Sequence, residues 1–170
     1  MLNAGSENDV SPMRPRSLTL LCYLTIFASL YMIMTSFGGI FNPDDLKKNS
    51  EEVLVEYDNI VSSSNTDPKS AAEFDKAMNE IAAAITTSNM HDFSVFTLIF
   101  NVLTLLGAWL MLRLNKNGFK LYVLGNLIAT ISPALVFGID NWLGMAYAFY
   151  HGISGAIFII LYALKMKYME

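Results

Sequence analysis

The chain has 170 residues and a formal net charge of −4, and it is 54% hydrophobic but only 15% charged, where soluble domains carry about a quarter charged residues. Its one cysteine, Cys22, excludes an intrachain disulfide, a cysteine redox pair and a cysteine-built zinc cluster, and the acidic balance offers no footprint for nucleic acid. Composition of this kind points to the membrane class, with the lipid bilayer as the first partner.

Four stretches lack charged residues altogether: Ser17 to Pro43, Phe93 to Leu112, Leu121 to Ile139 and Asn141 to Leu164. About 20 mostly apolar residues carry a helix across a hydrocarbon core of ~30 Å. Backbone groups in lipid must be satisfied internally, so each stretch is expected to span as a helix. The predicted fold is all-α: a polytopic membrane protein with four transmembrane helices in a bundle, at 17–41, 92–113, 120–139 and 140–164. A tail (1–16), an extracytoplasmic α-hairpin (42–91) between the first two spans, a short turn (114–119) and a C-terminal piece (165–170) complete the division.

The first span follows Arg14 and Arg16 and resembles a secretory signal in that respect. Its apolar part is longer than a signal's core, and "TSFGGIF" offers no small-x-small cleavage site, so it is read as an uncleaved helix. Cys22, Thr25, Ser29 and Ser36 share one of its faces, with Cys22 expected to be a small residue turned toward the other helices.

Between the first and second spans, Asp44 to Asp92 holds eleven acidic residues against four lysines. Asn42-Pro43-Asp44-Asp45 has the marks of a helix start: a capping side chain, a proline suited to the first turn, and carboxylates that complement the dipole. Leu46, Val53, Tyr57 and Ile60/Val61 then recur at helical spacing. "SSSNTDPKS" breaks that helix, and Asp67-Pro68 begins a second with Ala71, Phe74, Met78, Ile81 and Ile85 on one face. The two apolar stripes are expected to bury each other, leaving a solvated acidic surface. The acids do not follow a calcium-loop pattern; no metal site or cofactor is assigned, and cation binding by the hairpin is left open.

Basic residues near short loops stay on the cytoplasmic side. Arg14, Arg16, Arg113, Lys116, Lys120, Lys165 and Lys167 would all lie there if both termini are cytoplasmic.

Polar residues inside spans are where function is sought first, because lipid penalises them. On the second span Thr97, Asn101, Thr104 and Ala108 share a face; on the third, Tyr122, Asn126, Thr130 and Pro133; on the fourth, Gly144, Ala148, His151 and Gly155. Asn101, Asn126 and His151 are expected at similar mid-membrane depth, either as a hydrogen-bonded contact between helices or as the lining of a polar pocket. Gly144, Ala148, Gly152 and Ala156, at every fourth position, together with Gly155, are the candidate helix-packing residues.

"HGISGAIF", around Ser154, resembles the glycine-x-serine-glycine stretch of rhomboid intramembrane proteases. That resemblance implies a serine nucleophile with a histidine base on a later helix. No helix is expected after the fourth span, His151 is one turn away on the same helix, and Ser154 is expected to bond back to the Tyr150 carbonyl. The match is therefore read as coincidental and no catalytic residue is assigned.

A wider resemblance rests on "PRSLTLLCYLTIF", on "GAWLMLRLNKNGFKLYVLGN" and on a proline in the next span. These are similar to uncharacterised small four-helix membrane proteins of Bacteroidota type. The resemblance implies a bacterial inner-membrane address and brings no activity. Two functions are left open: a non-enzymatic accessory or assembly protein, acting through another membrane protein or through self-association, and an oligomeric transporter or channel-like subunit using Asn101, Asn126 and His151.

Overall fold

A computed structural model describes residues 14–62 and 67–169. The tail before Arg14, the break at 63–66, the Val61 side chain and Glu170 lie outside the described residues. Those described are helical throughout, with no strand: α1 (Arg16–Phe41), α2 (Pro43–Ser62), α3 (Pro68–Ala84), α4 (Thr87–Leu112), α5 (Asn117–Phe137), α6 (Trp142–Ala163) and a final 3-10 turn (Met166–Tyr168). Four of them, α1, α4, α5 and α6, are long and apolar enough to cross a membrane.

Capping groups set the helix ends more closely than charge does. α4 starts at Thr87, ahead of the charge-free run, because the Thr86 side chain accepts a hydrogen bond from Asn89 N at 3.1 Å. α5 starts at Asn117, whose amide donates to Asn115 Oδ1 at 2.8 Å, and it continues through Pro133. It stops at Gly138, where φ is +95°, a conformation that side-chain-bearing residues avoid. Asn141 then caps α6, accepting from Leu143 N at 2.8 Å.

α4 lies between α1 and α5, and α6 packs along α5. α4 and α5 meet backbone to backbone. A Cβ built on Gly118 would fall 2.5 Å from Gly107 O, and one on Gly125 would fall 2.9 Å from Phe100 O. Missing side chains let the two backbones meet, and dispersion over that contact takes the place of a hydrophobic drive that lipid cannot supply. Neighbouring long helices run antiparallel, so the basic residues around the helix ends gather at one end. There Arg14 Nη1 donates to Leu112 O at 2.9 Å and the Arg113 guanidinium sits 5.1 Å from the Trp109 ring.

The acid-rich α2 and α3 sit at the opposite end, and their arrangement corrects the expected mutual burial of two stripes. Leu46, Leu54, Ile81 and Ile85 turn onto Met90, Phe93, Phe137 and Leu143 at the ends of the long helices, around an apolar cavity of about 380 Å³. Val53 and Tyr57, assigned to the stripe, are 51% and 57% exposed. A single residue, Asn42, separates α1 from α2, and α2 is held over the long helices as far as Leu54. Polar ties fix this layer: Thr87 Oγ1 donates to Asp44 Oδ1 at 2.6 Å, Asn89 Nδ2 to Ala84 O at 2.8 Å, and Asn141 Nδ2 to Glu80 O at 2.7 Å.

Candidate functional site: a groove between α1 and α6

The buried face of α1 carries Cys22, Thr25, Ser29 and Ser36, and that of α4 carries Thr97, Asn101, Thr104 and Ala108. Because α4 and α5 lie close while α1 and α6 flank them without packing along each other, these faces line a groove of about 530 Å³. Thr25 and Ser29 form one wall, Asn101, Thr104, Tyr122 and Asn126 the floor, and His151 and Ser154 the other wall. The three mid-span polar residues singled out from the sequence, Asn101, Asn126 and His151, thus border one space.

They do not bond to one another. Asn101 Nδ2 donates to Thr97 O at 2.8 Å and Asn126 Nδ2 to Tyr122 O at 2.9 Å, each one turn back on its own helix. His151 is held by rings instead: Phe100 lies edge-on at 5.5 Å, Tyr147 stacks at 6.4 Å and Tyr150 lies edge-on at 5.4 Å. The bonds that join helices come from hydroxyls: Ser29 Oγ and Thr104 Oγ1 lie 3.0 Å apart, and Thr25 Oγ1 and Tyr162 Oη 2.8 Å apart. Such interhelical bonds contribute roughly 0.6 kcal/mol each in membrane proteins.

Apolar clusters lie beyond the groove toward both ends of the long helices. Leu18, Cys22, Met111, Tyr122 and Tyr162 pack together at the basic end, and Ala84, Ile85, Met90 and Phe137 at the α2/α3 end. The groove is open along its side, between α1 and α6.

Along α6, Gly144 and Gly155 are buried and Ala148 and Gly152 half-buried, whereas Ala156 is exposed. Ala156 therefore drops out of the packing face. Steps of four residues overshoot a helical turn by ~40°, so three of them turn a side chain ~120° away from where Gly144 points. The contact follows Gly144, Ala148, His151 and Gly155. A Cβ on Gly144 would lie 2.5 Å from Gly138 O, and one on Gly155 2.6 Å from Asn126 Oδ1; on Gly152 the nearest atom, Thr130 Cγ2, would be 3.5 Å away.

Ser154 Oγ donates to Tyr150 O at 2.8 Å and lies 3.3 Å from His151 O. Among the described residues no group of three or more His, Cys, Asp or Glu is arranged to hold a metal ion. Sequence reasoning missed Gly107, Gly118 and Gly125 as the backbone contact between α4 and α5. Gly107 and Gly125 gave a signal as glycines inside apolar spans, whereas Gly118 fell in the stretch assigned to the turn (114–119). No protein-family model, curated protein or solved structure matches the chain.

Proposed function

We propose that the protein is a non-enzymatic membrane interaction protein, an accessory or assembly partner that offers the open edge between α1 and α6 to another transmembrane helix. The carrying observation is the form of the groove: polar at mid-span, with apolar clusters beyond it toward both ends of the long helices and no α1/α6 packing along its side. A conduit needs a polar route through an end, and Met111 and Tyr162 at one end and Met90 and Phe137 at the other occupy those positions. Lateral docking is therefore favoured over a transporter or channel-like subunit. A serine nucleophile needs a base within reach, and the Ser154 hydroxyl is turned to its own helix backbone.

In this reading α1, α4, α5 and α6 form a bundle across a bacterial inner membrane, and α2 and α3 make an acidic extracytoplasmic hairpin. Both termini are cytoplasmic, and the chain is kin to the small four-helix Bacteroidota proteins it resembles. The charge asymmetry between the two ends supports the orientation. In a Cys22→Ala background, Ser70→Cys is expected to react in intact cells with an impermeant maleimide and Asn117→Cys to be protected; the reverse pattern inverts the topology.

For docking, a photo-crosslinker at Met32, on the groove lip, is compared in native membranes with one at lipid-facing Leu127. Crosslinks from position 32 to a membrane-spanning chain, lost in Ala28→Trp, are the expected result. A solute flux into proteoliposomes that His151→Ala abolishes would establish the transporter instead.

A further inference from the structure

We infer that the occupant of the α1/α6 edge is a second copy of this chain, joined by a two-fold axis along the membrane normal. The inference rests on the docking reading above and names its partner. Along the groove, Thr25 pairs with Tyr162, Ser29 with Thr104, and Asn101, Asn126 and Ser154 donate to backbone carbonyls of their own helices. The Asn101 amide oxygen and the His151 ring carry no hydrogen bond among the described residues. The groove thus presents unused acceptors, together with one imidazole N–H, to whatever fills it.

The lips of the same groove present the complement. Tyr31 on α1 and Tyr150 on α6 line its mouth and are 67% and 66% exposed, and their hydroxyls make no hydrogen bond among the described residues. Tyrosine favours the membrane surface, where its hydroxyl is wet. These two lie deeper. At ~1.5 Å per residue, Tyr31 is about 15 Å from the α2/α3 end of α1, and Tyr150 and His151 are about 12 and 14 Å from the start of α6. A hydroxyl facing hydrocarbon at that depth is left without a partner at a cost in free energy.

One edge therefore carries spare donors and spare acceptors at one depth. An isologous contact requires this, because each surface must satisfy its own image. A two-fold axis along the membrane normal keeps depth unchanged, so Tyr31 of either copy meets the other's groove at the level of His151. Ala28 and Ser154, small residues on the lips, let the edges approach. A phospholipid does not supply the missing groups, since its headgroup stays at the surface and its chains have no donor.

The test uses the full-length protein in liposomes. In a Cys22→Ala background, oxidation is expected to link Met32→Cys into covalent dimers and leave Leu127→Cys monomeric. Energy transfer between donor- and acceptor-labelled copies, followed against the protein-to-lipid ratio, is expected to show dimer dissociation about tenfold weaker in affinity for Tyr31→Phe/Tyr150→Phe, which keeps both rings. Absence of the Met32→Cys dimer, or equal self-association of the double variant and the parent, overturns the inference. A crosslink from position 32 in native membranes to a chain of different mass also overturns it, while leaving the docking edge standing. No crosslink from that position to any chain removes both.

Discussion

The hydroxyls of Thr25 and Tyr162 lie 2.8 Å apart and tie α1 to α6 at the basic end of the groove. Tyr122 packs edge-on against Tyr162 at 4.8 Å, so the bond is backed by a ring contact on the floor. In a double-mutant cycle of Thr25→Val and Tyr162→Phe, the coupling energy is expected to be about 0.6 kcal/mol. It is read from unfolding in mixed micelles. Strictly additive single effects would mean that the two hydroxyls do not bond.

Glycine substitutions separate close contacts from open ones. Gly118→Ala puts a methyl 2.5 Å from Gly107 O and 2.7 Å from Met111 N, both backbone atoms that cannot swing aside. A loss of roughly 1–3 kcal/mol is expected, or failure to fold. Gly152→Ala, which meets only Thr130 Cγ2 at 3.5 Å, and Gly38→Ala, with nothing within 4 Å, are expected to be close to neutral. Thermal unfolding in detergent ranks the three, and equal effects would contradict the α4/α5 contact.

Two hydroxyls, Thr97 Oγ1 and Ser132 Oγ, are buried with no hydrogen-bond partner among the described residues. Each forfeits water without compensation, so Thr97→Val and Ser132→Ala are expected to stabilise the protein by about 1 kcal/mol apiece. Destabilisation by both in the same unfolding assay would reveal a partner for them.

Asn141 serves two helices at once, accepting from Leu143 N in α6 and donating to Glu80 O in α3. Asn141→Asp keeps the cap and loses the donor; Asn141→Ala loses both. Faster amide hydrogen exchange in α3 is expected for both variants, and an added loss of ~1 kcal/mol of global stability for the alanine alone. If exchange in α3 stays at the parent rate, the Glu80 contact does not hold the layer in place.

The inward faces of the long helices were legible because lipid inverts the usual pattern: small and polar residues recur at helical spacing where a soluble helix would show leucines. Cys22, Thr25, Ser29 and Ser36 on α1 illustrate this, all buried on one side. What spacing could not convey was the partner of each group. Asn101 and Asn126 share a space yet bond one turn back, since an i−4 carbonyl is always within reach while a neighbouring helix must be placed first. Val53 and Tyr57 repeat as a buried stripe would, yet they are exposed while Leu54, between them, packs against the long helices. The α4/α5 contact depends on which two glycines meet, and that register belongs to the pair of helices rather than to either one.

Asn42 is the whole of the connection between α1 and α2: its amide closes the last turn of α1 on Gly38 O at 2.8 Å, and its carbonyl accepts from Leu46 N, at 3.3 Å, in the first turn of α2. A joint this short has no slack. The direction in which α1 ends therefore sets the direction in which α2 begins, and the acidic surface is aimed by the helix beneath it.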